Sequence, residues 1–373
     1  MRIGVDAKVL KNNSGITRYL TSLLNSLQAT DNENDYFLFE QKPSDYRITN
    51  NKWKKVLIHS KMPGIIWQQI LLPFFLKKYK IDLLWAPEQT CPIFFIGKIP
   101  VFLTIHDFAS IRFPQTCQNT VVLISKLFMK QSIKKSTYLL PVSNYIENEL
   151  RNRFAPIINN KKIVSVTNAA PDWKQISSYL ASEREDYLFF VGNLEPRKNL
   201  ISVLIALEIL YKRGFKNLKL YIAGPSGWKN NDILCFIKNS VIKENIIFLG
   251  YISDYELKMH YSKCKAFIFP SIYEGFGLPI LEALSLNCIV LTSKDTVMEE
   301  IAGKAAIYFN PRDPEDIAQS IRCLFEPQFL REKYLSYAKN VLETYTWEQS
   351  SEKLKLLFRD SLQQLAKSPK NSR

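Results

Sequence analysis

Two glutamates stand eight positions apart in YEGFGLPILE, Tyr273 to Glu282, around a Gly-Phe-Gly corner and a proline. Were the whole stretch helical, eight positions would turn roughly 800° and leave Glu274 and Glu282 about 80° apart around the axis. Gly275 and Gly277 disfavour helix, and Pro279 suits a first helical turn. Glu274 is therefore expected in a loop, and Glu282 about one turn inside the helix that follows. The N-terminus of such a helix attracts an anion through its free N–H groups and its dipole, and a phosphate is a natural occupant. The flanking carboxylates suit hydroxyl groups on either side of it, but the phosphate charge must be met by cations from elsewhere in the chain.

VGNLEPRKN, Val191 to Asn199, supplies them. Arg197 and Lys198 follow a Glu-Pro corner and are expected to precede a helix directly. Two cations there oppose the helix dipole by roughly 0.3–1 kcal/mol each. A diphosphate between them would return roughly 1.5–3 kcal/mol per charged hydrogen bond. The balance favours an anion site, with Gly192, Asn193 and Glu195 on the same corner. Other polar corners admit two readings each. Gly15 in NNSGITRY is a loop cap or a point where backbone approaches a phosphate. His106 and Asp107 in TIHD bind a sugar hydroxyl and move a proton, or are structural. Ser143 in PVSNY touches substrate or caps a helix. Gly224 in AGPSGW borders a base or sugar, or makes a plain turn, and Glu299 and Glu300 in VMEEIAG are site acids or ordinary first-turn residues.

These corners need a scaffold, and the chain alternates short apolar runs with periodic stretches. Strands are expected at Ile3 to Asp6, Tyr36 to Glu40, Val56 to His59, Leu83 to Ala86, Val101 to His106, Tyr138 to Ser143 and Ile163 to Thr167. The rhythm restarts with YLFFVGN, LKLYIAG, NIIFLG, KAFIFPS and CIVLTS. Helical periodicity marks Ile16, Tyr19, Leu20, Leu23, Leu24 and Leu27, and again Val122 to Ile133. Strand–helix alternation implies parallel sheets covered on both faces, an α/β chain of two doubly wound domains, each binding ligand at the carboxyl ends of its strands. The polar segment 168–186 reads as the linker. That gives a first domain at 1–170 and a second at 171–345. The apolar stripe Leu354, Leu357, Phe358, Leu362 and Leu365, opened by a capping box at Thr346 to Gln349, makes a last helix over 346–366 that rejoins the first domain. The tail 367–373 is expected to be disordered.

Composition narrows the partners. The 373 residues are 46% apolar and 13% aromatic, enough for two cores. The net charge of +15 is uneven: residues 1–170 hold 23 Lys+Arg against 11 Asp+Glu, net +12, and the remainder net +3. Zinc-finger spacings, RNA-binding aromatic motifs and arginine-rich tracts do not occur, which argues against nucleic acid. IIWQQILLPFFLKKYK, Ile65 to Lys80, is too short to span a bilayer and is interrupted by Pro73. It suits either a peripheral contact with an anionic membrane or a core helix with a lysine-rich end. MRIGVDAKVL lacks the form of a signal peptide, and the six cysteines show no paired spacing. Both point to reduced thiols in the cytoplasm.

Taken together, Gly15, the His106-Asp107 pair, GNLEPRKN, AGPSGW, FLGYISDYEL and above all Glu274 and Glu282 with seven residues between them resemble the retaining glycosyltransferases of family 4, whose fold is GT-B. The resemblance runs nearly end to end and is nearest to mannosyltransferases of polysaccharide and lipopolysaccharide assembly. It implies two Rossmann-like domains facing a cleft and a nucleotide-sugar donor, with GDP-mannose preferred over a UDP-sugar or dTDP-rhamnose. The acceptor it implies is a glycan or a lipid-diphosphate-linked glycan. Arg197 and Lys198 would neutralise the diphosphate in place of a metal or other cofactor, helped by backbone at Gly277 and Leu278, with Phe276 among the substrate-binding residues. Glu282 would take the ribose hydroxyls, Glu274 the donor sugar, His106 the sugar from the other domain, and Gly15 would make room for the phosphates. Glu300 occupies the place of a later acidic residue of the family. Met298-Glu299 stands where a Leu-Pro pair is common, and Asn168-Ala169-Ala170 where Asn-Gly-Val is. A catalytically silent nucleotide-binding or membrane-scaffold protein is the alternative from another class.

Overall fold

The computed structural model describes residues 1–12, 14–94, 97, 99–171, 173, 184–225 and 231–367. Most of the expected linker, Ser226 to Trp228 of the AGPSGW corner with the two residues that follow, and the tail from Ser368 lie outside them.

The chain divides into two units. The first holds a sheet of seven strands: β1 Arg2–Asp6, β2 Asp35–Glu40, β3 Trp53–Leu57, β4 Leu83–Ala86, β5 Val101–Ile105, β6 Tyr138–Pro141 and β7 Lys162–Ile163. Their order is β3-β2-β1-β4-β5-β6-β7, and every pairing is parallel. The central strands are buried along their whole length, as covered parallel strands must be. Helix Gly15–Thr30 buries the expected stripe of Tyr19, Leu20, Leu23, Leu24 and Leu27, each fully buried leucine contributing roughly 1.5–3 kcal/mol. The expected helix over 122–133 is a longer helical stretch. It runs Asn119–Ile124, then through a π turn at Ser125–Met129 and on to Lys130–Lys135.

The last helix, Trp347–Lys367, packs in this same unit. Phe358 meets the ring of Phe102 edge-on at 4.9 Å, and Ser350 Oγ donates to the Thr167 carbonyl at 2.9 Å. Leu354, Leu357 and Phe358 are buried as expected; the side chains of Leu362 and Leu365 lie outside the described residues. Gln349 N–H donates to Thr346 Oγ1 at 3.3 Å, which caps the helix.

The second unit holds six parallel strands: β8 Glu185–Val191, β9 Lys219–Ala223, β10 Ile246–Gly250, β11 Cys264–Phe269, β12 Ile289–Ser293 and β13 Ala306–Phe309. Their order is β10-β9-β8-β11-β12-β13. β13 was not anticipated from the sequence, because AIYF is only four residues long and follows a lysine-bearing turn.

In both sheets the strand order reverses direction beside the first strand, between β1 and β4 and between β8 and β11. Such switch points open a crevice at the carboxyl ends of the two strands. One segment departs from the expected division. Arg112–Gln118 groups with the second unit, because the Arg112 guanidinium lies 5.1 Å over the Tyr273 ring and Phe113 packs 5.4 Å from it. All six cysteines are free thiols.

Candidate active site

At the second switch point the chain leaves β8 through Gly192 and leaves β9 through Gly224. The two backbones are so close that a Cβ on Gly224 would lie 2.2 Å from the Gly192 carbonyl oxygen, and Gly224 also has a φ of +133°. Gly192 N–H donates to the Ala223 carbonyl and Gly224 N–H to the Gly250 carbonyl. Gly224 is therefore required by packing, whichever ligand lies nearby. Asn193 is exposed and Glu195 buried.

Beyond this corner the sequence expectation needs correcting. Arg197 and Lys198 do not abut the helix. They sit in their own 3-10 turn, Pro196–Lys198, and Asn199 separates them from helix Leu200–Lys212. Asn199 is left-handed at φ 56° and is pinned there by its side-chain amide, which donates to the carbonyls of Pro270 and Pro311. The anion that the two cations call for is supplied by the chain itself. Arg197 Nη1 lies 2.9 Å from Glu274 Oε2 and Lys198 Nζ 2.7 Å from Glu274 Oε1, while Arg197 Nη2 lies 2.6 Å from Glu195 Oε1. Arg197 Nη1 also donates to the Tyr273 carbonyl at 2.6 Å. The cluster of two cations and two carboxylates is formally neutral.

Burial raises the pKa of Glu274, but the charges of Arg197 and Lys198 overcome it and hold the carboxyl at about 2. Burial raises Glu195, and here the same cations only partly offset it. Glu274 is thus a fixed carboxylate. Lys198 has three N–H donors, and Glu274 takes one of them. The ammonium also lies 4.9 Å from the Phe269 ring centroid, so two donors remain unmatched among the described residues.

The Gly-Phe-Gly corner behaves as expected. Gly277 is left-handed at φ 110° and starts helix Leu278–Ser285, with Pro279 in its first turn. Phe276 is buried and meets the Tyr345 ring edge-on at 5.5 Å, fixing the corner. Glu282 is buried inside the helix and accepts from Tyr261 Oη at 3.2 Å. Glu300 sits in the first turn of Val297–Ala302, and its carbonyl accepts from Tyr345 Oη at 3.2 Å.

The expected residues of the first unit divide by what their polar atoms do. His106 Nε2 lies 2.7 Å from the Pro87 carbonyl. A carbonyl only accepts, so this nitrogen carries the proton and Nδ1 presents a lone pair. Burial pushes the imidazole pKa below its ordinary value, keeping the ring neutral. Asp107 Oδ1 accepts from Ala109 N–H, and Ser143 Oγ accepts from Ile146 N–H at the start of helix Asn144–Ile158. Both act locally as caps. Gly15 opens helix Gly15–Thr30 with no unusual φ, and a Cβ there would meet nothing within 4 Å. Neither backbone conformation nor packing in this chain calls for glycine at that position.

Sequence reasoning overlooked a second charged group, at the first switch point. Asp6 ends β1, and Lys8 Nζ lies 3.1 Å from its Oδ2 and also pairs with Glu88, two residues past β4. Gln68 Nε2 donates to the same Asp6 oxygen. The local signal was limited to position: Asp6 and Glu88 each stand at the carboxyl end of an apolar run, which does not show that Lys8 joins them.

Comparison with known proteins adds the following. Residues 171–341 match the family described as glycosyl transferases group 1. Over 360 residues the chain is 24% identical to the O-antigen chain mannosyltransferase B of Escherichia coli, covering 90% of this chain and 93% of that one. It is 27% identical over 231 residues to the O-antigen chain mannosyltransferase RfbU of Salmonella typhimurium, covering 59% of each. Among solved structures, the sucrose-phosphate synthase of Thermosynechococcus elongatus superposes with a TM-score of 0.75 at 16% identity, over 96% of this chain and 98% of that one. This last likeness concerns the fold.

Proposed function

We propose that this chain, a glycosyltransferase of the GT-B fold, moves mannose from GDP-mannose to a glycan or lipid-diphosphate-linked glycan in the synthesis of a bacterial surface polysaccharide, with retention at the anomeric carbon. One observation carries the reading: Lys198 and Arg197 converge on Glu274 a few residues before the N-terminus of Leu278–Ser285, at a topological switch point. That is the arrangement a diphosphate flanked by hydroxylated groups requires. Mannose is preferred because the long matches are named as mannosyltransferases of O-antigen chains; a UDP-sugar or dTDP-rhamnose is the alternative donor.

In this reading the two remaining N–H donors of Lys198 and the helix N-terminus receive the diphosphate and stabilise its charge as the glycosidic bond breaks, which is the main catalytic term. The cations serve where a metal otherwise would, and no cofactor takes part. Glu274, held ionised, accepts from donor-sugar hydroxyls, and Glu282 accepts from the ribose. The departing phosphate takes the acceptor proton on the face it leaves, which accounts for retention. Gly15 and His106 keep the roles that the family resemblance implies, Glu300 stands in the place of the family's later acidic residue, and Asp107 and Ser143 touch substrate beside capping their helices.

The reading includes a peripheral membrane contact on the cytoplasmic side. Helix Gly64–Lys78 buries Trp67, Leu72 and Leu76 but exposes Ile66, Ile70 and Phe74 in one stripe, with Lys77 and Lys78 in its last turn. No helix among the described residues is long and apolar enough to cross a membrane. An apolar stripe ending in lysines suits the boundary of an anionic bilayer. Thermal-shift titration with GDP, UDP and dTDP tests the donor. Stabilisation by GDP above the others is expected, and indifference to all three counts against the site. Flotation with anionic and neutral liposomes tests the membrane contact, which equal recovery with both would remove.

A further inference from the structure

The charged group at the first switch point contains more than the fold requires. Asp6 is 1% exposed and accepts from both Gln68 and Lys8. Burial would lower the pKa of Lys8, but Asp6 and Glu88 together raise it, so the ammonium is firmly charged. Asp6 alone would neutralise it. Glu88 brings a second carboxylate and a net charge of −1, with its side chain 24% exposed. Its Oε2 faces Lys8, and Oε1 has no partner among the described residues. The next residue back, Pro87, carries the carbonyl that orients His106. The charge of Glu88 acts on that imidazole, whose Nδ1 lone pair likewise has no partner among the described residues. Two hydrogen-bond acceptors, a carboxylate oxygen and a neutral imidazole nitrogen, thus lie just past the carboxyl ends of the neighbouring strands β4 and β5, the edge of the sheet where ligands bind.

We propose that Glu88 is a binding residue for the hydroxyl groups of the acceptor glycan, with Lys8 as the positioning residue that holds it. The net negative charge repels phosphate, while a carboxylate forms short, strong bonds with O–H donors. This inference deepens the glycosyltransferase reading and rests on it.

The experiment measures mannosyl transfer from GDP-mannose to methyl α-mannoside by wild type, Glu88→Ala, Glu88→Gln and Lys8→Met, together with GDP affinity and melting temperature. For Glu88→Ala the methyl α-mannoside KM rises at least about tenfold, while GDP affinity and melting temperature hold, because Asp6 and Lys8 remain a neutral pair. Glu88→Gln, which keeps an acceptor oxygen, is affected less. Lys8→Met raises the same KM and also melts earlier, because it leaves two carboxylates facing each other. An unchanged KM in Glu88→Ala overturns the proposal, and so does a loss of GDP affinity in step with a lower melting temperature. A wild type that neither binds GDP nor consumes GDP-mannose overturns the functional reading itself. A wild type that transfers, with a Glu88→Ala variant that transfers equally well, sinks only this inference.

Discussion

The two switch points are built alike and charged differently. Each sets a lysine from the loop after its first strand, Lys8 or Lys198, against a glutamate from the loop across the switch, Glu88 or Glu274. In the second unit an arginine joins, the cluster becomes neutral, and helix Leu278–Ser285 begins a few residues on. In the first unit Asp6 joins instead, and the cluster is net negative. On the proposed reading, the same crevice geometry takes an anionic diphosphate in one unit and uncharged hydroxyl donors in the other. Cation count at a strand end, more than strand topology, decides which.

The largest effect is expected at Glu274. Glu274→Gln should lower turnover by about 10²–10³-fold, yet GDP affinity should hold or rise, since a competitor for Lys198 has gone. Steady-state kinetics beside GDP titration checks this, and lost GDP affinity would mean that Glu274 grips the nucleotide. The glycines come next. Gly224→Ala drives a Cβ into the Gly192 carbonyl and should cost several kcal/mol, read as a lower melting temperature. Gly15→Ala meets nothing and should leave melting unchanged while weakening transfer; unchanged kinetics would remove the role given to Gly15.

Acid sensitivity is smaller. Glu274 is depressed from 4.5 to about 2 in the folded protein, so its ion pairs contribute fully above about pH 4.5 and are lost as pH falls through 2. The urea midpoint should fall over that window more steeply for wild type than for Glu274→Gln; Glu195, raised by burial, acts with the opposite sign. The smallest effect is Ser143→Ala, which removes a helix cap worth roughly 1 kcal/mol. Measured donor and acceptor KM values unchanged by it would reduce Ser143 to that cap.

Much of this was legible in the sequence because parallel strands buried on both faces must be apolar runs, and ten of the twelve expected strands were bracketed to within two residues at each end. Val56 to His59 and Ile163 to Thr167 were the exceptions: the second shortens to β7 Lys162–Ile163, and the first registers as β3 Trp53–Leu57 because Trp53 stacks on Tyr36 at 4.1 Å, a partner that no local pattern shows. Pro279 and Gly277 marked the helix start because each has a backbone preference independent of tertiary contacts. The pairing of Arg197 and Lys198 with Glu274 was not legible, since it joins residues 77 and 76 positions apart. For the same reason Lys8 and Glu88 passed unnoticed, and the grouping of Arg112–Gln118 with the second unit was not foreseen.

The central claim is that the second switch point receives a nucleoside diphosphate through Lys198. Calorimetric titration of GDP into wild type and Lys198→Ala tests it most directly. The expected result is saturable GDP binding that weakens about 10- to 100-fold in Lys198→Ala, the loss of one or two charged hydrogen bonds. Equal affinity in the two proteins would contradict the account.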